Sequence, residues 1–383
     1  MLLIYIISII LCTSDHDKGT GYLKHLRVIL LLLALILSVP EAVPAEGTWY
    51  SFGEKDVPED LGWMLTDYSG TVTLTFLGDC TLGGEKKYRN AGRGFVRTVE
   101  QYGYAWPLQG LTRLTATDDI TVANLEGVLS DRDLPPEDKE FNFIGQTAYT
   151  EILTLGSVEC VTLANNHSRD YGNAGYADTE DALDRAGVAH FGTEEMAVWK
   201  NQEGLTVGFL GVSGSLSGDR GKRYDRQMAI LKDLGCAAVI TVMHAGEEYS
   251  DGPDSYQIQI RDRAIAMGTD LIVGHHPHVA QGVEVKDGVP VVYSLGNCSF
   301  GGNGKPKDYD ALVLRAELRF EDGELTGCEL YFYPVRISSH ADFNDYSPVL
   351  LQGVEAEQAL SRLTRRTGTV FGPFDDEKGA SVR

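Results

Sequence analysis

Five short stretches of this chain set metal-seeking side chains directly after apolar runs of strand type: Asp79, Glu126, Asn166-His167, His244 and His276-Pro277-His278. Carboxylate, amide and imidazole donors of this kind suit a divalent cation. The runs themselves are residues 71–77 (TVTLTFL), 120–123 (ITVA), 158–164 (VECVTLA), 237–243 (AAVITVM) and 270–273 (DLIV). In an open α/β sheet, ligands bind beyond the carboxyl ends of the strands, so donors far apart in sequence can converge there. The pattern therefore points to a metal site.

Each stretch carries its own chemistry. Asp79 follows Gly78, which permits a close backbone approach, although an Asp at a strand end equally serves as a helix cap or turn former. Asn124-Leu125-Glu126-Gly127 repeats the design and offers a second carboxylate able to bridge two cations; alone it reads as an exposed turn. In Asn165-Asn166-His167 the amide oxygen of Asn166 fits a ligand, and His167 suits contact with substrate and protonation of a leaving group. His244 ends its run and is followed by Glu247, Glu248 and Tyr249, groups able to orient its ring or the substrate. On an extended segment His276 and His278 project to the same side, so one cation or two adjacent cations can use both, while His275 points the other way in a supporting or structural role. Of the nine histidines in the chain, three stand within residues 275–278, which makes chance a poor explanation.

The elements that must hold these donors follow from composition and rhythm. A chain of 383 residues with 43% hydrophobic and 23% charged residues can bury a large core. The net charge of −22, with no cluster of Lys and Arg, argues against broad nucleic-acid binding. An anionic substrate would need local help, which a bound cation provides. The six cysteines show no spacing for structural zinc and read as buried thiols; Cys80 and Cys298, both near site loops, are the pair to inspect for a disulfide.

Residues 1–46 read as a signal peptide or signal anchor: Lys24, His25 and Arg27, then Val28 to Val39, then the small residues Ala42-Val43-Pro44-Ala45. That implies an extracytoplasmic protein, secreted or held at a membrane by this segment, with a second apolar stretch at Met1–Cys12 leaving the translation start open. Residues 47–70 read as an irregular lead-in. From 71 to 335 helical and apolar segments alternate, with helices near 106–115, 147–155, 174–186, 226–234 and 255–267. Beyond residue 282 the strand-like runs are separated by Gly- and Asp-containing turns, as for antiparallel pairing on a second sheet. Residues 336–383 form a C-terminal extension with one helix near 354–366.

Taken together, LGDCTLGG around Asp79, NLEG at Asn124, ANNHSRDYG at Ala164, HAGEEY at His244, GHHPHV at Gly274 and YSLGNCSF at Tyr293 resemble the CapA family of poly-γ-glutamate capsule synthesis proteins. That family looks like a branch of the calcineurin-like metallophosphoesterases. The resemblance implies a four-layer α/β/β/α sandwich of two mixed sheets flanked by helices, with a site, often dinuclear, at the strand ends. It implies Asp79, Glu126, Asn166, His244, His276 and His278 as ligands and His167 as the catalytic or substrate-contacting group. Asn124, Asn165, Glu248, Tyr249, His275 and Asn297 fall at supporting or substrate-binding positions. Two departures stand out. Thr81 occupies a position where a ligating His is usual, and Asn-Leu-Glu replaces Gly-Asp with a downstream Asp, so one metal position is poorer in ligands. Cys298 also replaces the usual aromatic after Gly296-Asn297.

The chemistry implied is metal-assisted hydrolysis with one or two divalent ions, Mn, Fe or Zn rather than Ca given imidazole with carboxylate. The substrate is an anionic polymer or a small anionic ester; both present anionic oxygens to such a site. The resemblance adds capsule-synthesis membrane proteins as partners. The alternative is a non-catalytic module whose metal grips an anionic polymer during assembly or export.

Overall fold

The computed structural model describes residues 47–58, 66–88 and 92–382, so the N-terminal segment read as a signal lies outside the described residues. Its first strands are β1 (Gly47–Gly53), β2 (Gly70–Thr81), β3 (Ile120–Leu125), β4 (Val128–Leu129), β5 (Ile144–Gly145) and β6 (Cys160–Thr162). Next come β7 (Ala189–Phe191), β8 (Glu195–Asn201), β9 (Thr206–Ser213), β10 (Ala238–His244), β11 (Leu271–His275) and β12 (Val283–Lys286). The last are β13 (Val289–Val292), β14 (Asn297–Phe300), β15 (Asp310–Glu321), β16 (Glu324–Arg336), β17 (Val349–Leu350) and β18 (Ala380–Ser381). The helices are α1 (Phe95–Tyr102), α2 (Thr112–Thr115), α3 (Thr150–Leu155), α4 (Gly172–Ala186), α5 (Gly218–Asp233), α6 (Ser255–Ala266) and α7 (Gly353–Thr367).

Two large mixed sheets carry the fold. The first has the order β1-β8-β9-β10-β11-β13-β12; the second runs β17-β16-β15-β2-β3-β6-β7, with β14 joined to β2 and β18 to β16. Strands β9, β10, β11 and β13 are parallel, as are β2, β3, β6 and β7, so each sheet gathers several carboxyl ends at one edge. The sheets face each other across an apolar layer in which Leu74, Phe76 and Val122 meet Phe209, Ile240 and Val242. Outward-facing Leu77, Leu125 and Val161 pack with Phe95, Ile152 and Leu183 from α1, α3 and α4. On the other side Val212, Met243 and Ile272 pack with Met228 of α5 and Ile260 of α6. Strands buried on both faces read as continuous apolar runs, which is why β10 and β11 show so little polar alternation. The architecture is the four-layer α/β/β/α sandwich.

A single extra residue in β2 aims the site. Val72, Leu74 and Phe76 lie in the inter-sheet layer, and Leu77 lies on the helix side. Strict alternation would put Asp79 with Leu77 on the helix side and Cys80 inside. The pairing with β3 instead slips between Leu77 and Asp79, which oppose Ala123 and Asn124. The slip returns Cys80 to the helix-side cluster and turns Asp79 to the inner face, the re-aiming that a β-bulge performs. Gly78 makes it possible: a Cβ there would sit 2.2 Å from the Gly296 carbonyl oxygen, which accepts the Asp79 N–H at 3.0 Å.

Several expectations change. The lead-in at 47–70 is not irregular throughout, because β1 pairs antiparallel with β8 over seven residues, and Trp49, Tyr50 and Phe52 supply aromatic strand formers whose faces pack on both sides. The helix expected near 106–115 is reduced to α2, preceded by the unforeseen α1. The late strands do not form a sheet of their own: β12 and β13 extend the first sheet, and the β15–β16 hairpin extends the second through β2. Cys80 and Cys298 follow the paired residues Asp79 and Asn297 on parallel strands as buried free thiols, not as a disulfide.

Replacing Gly78 by Ala should destabilise the metal-free protein by roughly 1–3 kcal/mol through overpacking against Gly296, and should lower bound metal by displacing Asp79. Denaturant unfolding and elemental analysis check this; an unchanged midpoint with full metal content would contradict the role given to the bulge.

Candidate metal centre

The inner edge of the two sheets brings the donors together. Asp79 comes from β2, Glu126 from the turn after β3, and Asn165, Asn166 and His167 from the loop after β6. Across from them, His244 ends β10, His275 ends β11, and His276 and His278 stand in the following turn. Two groups of donors form, Glu126 with His244 and His276, and Asp79 with Glu126 and His278, and within each the ligand atoms lie within 4.8 Å of one another. Glu126 belongs to both.

Glu126 is fully buried, and among the described residues neither of its carboxylate oxygens has a hydrogen-bond partner. Its neighbours are ring nitrogens instead, with His244 Nε2 at 3.5 Å and His167 Nε2 at 3.9 Å. An acceptor-only group held among imidazoles fits a site for a cation, since a buried carboxylate without donors is costly unless a cation or a proton neutralises it. The residues therefore fit one or two divalent ions, with Glu126 as the shared ligand.

Supporting contacts fix the rest. The Asn124 amide donates to Asp79 Oδ1 at 2.7 Å and lies 3.2 Å from His244 Nδ1, so it spaces the carboxylate from the ring. The Asn165 side-chain amide donates to Asn124 Oδ1 at 3.0 Å, and its Oδ1 accepts the His167 N–H at 3.0 Å. Asn166 is exposed at the mouth with its oxygen 2.7 Å from His244 Nε2. Asn297 Oδ1 pairs with His278 Nδ1 at 2.9 Å, and the same nitrogen lies 3.2 Å from Asp79 Oδ2. Thr81, standing where the resemblance implies a ligating His, keeps a buried hydroxyl without a hydrogen-bond partner among the described residues.

Three local expectations are corrected. The segment after β11 is not extended: His276 and His278 both take positive φ, +100° and +56°, and their rings go to different donor groups. His275 does not point away: as the last residue of β11 it shares the inter-sheet face with Leu271 and Val273, and it is buried with Nδ1 3.4 Å from Asp79 Oδ1. Nor do the acids after His244 orient its ring. Asn124 does that, while Glu248 is exposed and Tyr249 stands 6.3 Å, ring to ring, from His278.

Charge at the centre is strongly biased. Burial would raise the Asp79 carboxyl, but the His275 and His278 rings bonded to it hold it well below the usual range. Burial, reinforced by the Asp79 charge, pushes Glu126 well above its ordinary 4.5. Burial also depresses His244 and His276, whereas for His278 the Glu126 and Asp79 carboxylates overcome burial and push it up to about 10.

Sequence reasoning missed the partners of His167. Its Nδ1 lies 2.8 Å from Asp170 Oδ2, and a carboxylate only accepts, so this nitrogen carries the proton and Nε2 faces the donor cluster. Lys139 pairs with Asp170, donates to the Asn166 carbonyl at 2.7 Å and stands 3.3 Å from His167 Nδ1. Phe143 packs at a tilt against His167, ring centroids 4.3 Å apart, and Phe300 likewise against His278 at 4.9 Å. The i, i+3 spacing of His167 and Asp170 was the available signal; nothing in the sequence tied Lys139 to it.

Comparison with known proteins finds relatives of this chain. A family model described as bacterial capsule synthesis protein PGA_cap matches residues 73–301. The chain is 27% identical over 322 residues to the capsule biosynthesis protein CapA of Bacillus anthracis, covering 77% of this chain and 73% of that one. It is 28% identical over 289 residues to the PGA biosynthesis protein CapA of Bacillus subtilis, covering 70% and 72%. A probable polyglutamine synthesis accessory protein of Mycobacterium tuberculosis is 24% identical over 252 residues, covering 55% of this chain and 66% of that one.

The raised groups set a pH dependence. A group raised in the folded state contributes stability that is complete below its unfolded value and lost as pH rises through the folded one. Above pH 6.5 the depressed histidines add no slope, and Glu126 and His278 lose stability alongside Glu159, which burial pushes up to about 8. Metal-free protein should lose stability from pH 6.5 to about 10, and Glu126→Gln should flatten this limb, because it removes one titration and the main attraction raising the other. Thermal unfolding of chelator-stripped protein across pH measures it; parallel curves for the two proteins would refute it.

Proposed function

The chain belongs to the bacterial capsule synthesis protein family PGA_cap, and from that premise we propose that it is an exported metal-dependent hydrolase acting on an anionic polymer of the poly-γ-glutamate type. The observation that carries the reading is Glu126, a buried carboxylate shared by two donor groups and left without any hydrogen-bond donor among the described residues. Imidazole with carboxylate favours Mn, Fe or Zn as the ion. A divalent ion held there would lower the pKa of a water molecule towards about 7 and polarise the bond under attack. Asp79, Glu126, His244, His276 and His278 would hold it, with the Asn166 oxygen at the open side.

The chain's own residues supply the rest. Asp170 fixes the His167 ring with Nε2 towards the cluster, the position from which Nε2 passes a proton to the departing group. Lys139 balances the Asp170 charge and presents a cation beside the reacting centre. Phe143 and Phe300 shield the two histidines they pack against from water. Export rests on the N-terminal pattern of residues 24–45, and a membrane-held capsule-synthesis assembly is the setting it suggests; among the described residues no helix is long and apolar enough to cross a membrane.

His167→Ala should lower turnover by about 10²–10⁴-fold, the usual worth of a positioned acid, while leaving metal content near the wild-type value. The assay offers a γ-linked glutamate polymer and a phosphodiester to metal-loaded protein, with elemental analysis alongside. Retained turnover would sink the role of His167. Polymer binding that a chelator abolishes, without any product from the wild-type protein, would identify a metal-dependent gripping module instead.

A further inference from the structure

Beside the metal centre lies a second hollow, of about 520 Å³, that the mechanism above does not use. Its walls include Arg93, Phe95, Lys305, Phe343 and Tyr346. A partition two rings thick divides it from the centre. Phe143 and Phe300 pack 6.2 Å apart, each tilted against a site histidine, and the Gly302 backbone lies against both of them on the hollow's side.

The loop that leaves this partition links the two spaces. Residues 301–307 (GGNGKPK) start at the end of β14, carry Lys305 to the hollow, and bring Lys307 back over the Tyr249 ring at 4.1 Å, beside His278. Asn344, buried beneath the loop, clamps it by donating to the Phe300 and Asn303 carbonyls at 2.8 and 3.0 Å and to the Gly304 carbonyl at 3.1 Å. The loop is therefore prearranged rather than left to fold around a ligand.

Its charge runs against that of the chain. With a net charge of −22 the protein as a whole repels a polyanion. Around the centre and the hollow, however, stand Lys139 beside His167, Lys307 over Tyr249, and Lys305 with Arg93 at the hollow, and among the described residues Arg93, Lys305 and Lys307 have no carboxylate partner. Glu85, the acid at the hollow, is already paired with Lys87 at 2.8 Å. Arg93 is spread over the Phe343 ring at 4.9 Å, which leaves an apolar floor beneath a cationic group.

We propose that this hollow is a second carboxylate-binding subsite, taking the stretch of an anionic chain next to the bond held at the metal centre. The inference rests on the polymer reading above and adds to it a length requirement. A repeating unit that alternates methylenes with a carboxylate matches the floor of Phe95, Phe343 and Tyr346 under Arg93 and Lys305. The partition then sets the spacing: one carboxylate meets the centre, the next passes Lys307, and a later one reaches the hollow.

Calorimetric titration of the metal-loaded full chain with a γ-linked glutamate dimer and decamer tests it. Wild-type protein should bind the decamer at least about tenfold more tightly than the dimer, the scale of one or two charge-assisted contacts. Arg93→Ala with Lys305→Ala, both exposed positions, should lose that gain while binding the dimer unchanged, and Lys222→Ala on α5 should behave as wild type. A decamer bound no more tightly than the dimer, or a double variant that keeps the full gain, overturns the subsite alone. If neither oligomer binds the wild-type protein, the polymer reading fails with it.

Discussion

One carboxylate that cannot be left alone organises this molecule. Glu126 is walled off from water and meets no donor among the described residues, only the edges of imidazole rings. An ion in that position is tolerable only if something positive shares the space, and several kcal/mol separate the compensated from the uncompensated state. Burial favours the neutral form of His244 and His276, which leaves them free to donate lone pairs rather than protons, whereas the Glu126 and Asp79 carboxylates favour the charged form of His278. A cluster so arranged is complementary to a cation, and its elements are placed to keep it so.

The fold meets this demand by dividing the labour between two sheets. One contributes the carboxylates and amides, from the ends of β2, β3 and β6; the other contributes the imidazoles, from the ends of β10 and β11. Oxygen donors thus face nitrogen donors across the inter-sheet seam. Asn124 and Asn297 act as spacers at that seam, each touching Asp79 or a ring that Asp79 also touches. Because each amide is itself buried and bonded, the donor positions are held by the core and not by the ions.

Much of this was legible in the chain because parallel strands buried on both faces announce themselves as apolar runs, and polar residues at their ends have few structural uses. His244, Glu126 and the histidines after β11 were found that way. What stayed hidden depends on one-residue events that periodicity cannot resolve. The bulge at Gly78 inverts the facing of Asp79, and the positive φ values at His276 and His278 end the extended geometry in which those two rings would share a side. Likewise β1 was obscured by glycines at both ends of its aromatic alternation, and Lys139 reaches His167 because the long loop between β4 and β5 folds back over it. The late hairpins were recognisable as hairpins, but sheet membership is a tertiary decision that their local turns do not encode.

The division of donors between sheets has a consequence for assembly. Neither sheet holds a complete ligand set, and the contacts that join them link residues as distant as Asp79 and His278. Such pairings form late, after the entropy of closing long loops has been overcome. On the proposed reading, capture of an ion at the candidate centre would require the two sheets already packed together, and its binding would favour that packing. Occupancy of the centre would then be a record of completed folding, because neither sheet alone supplies either donor group in full.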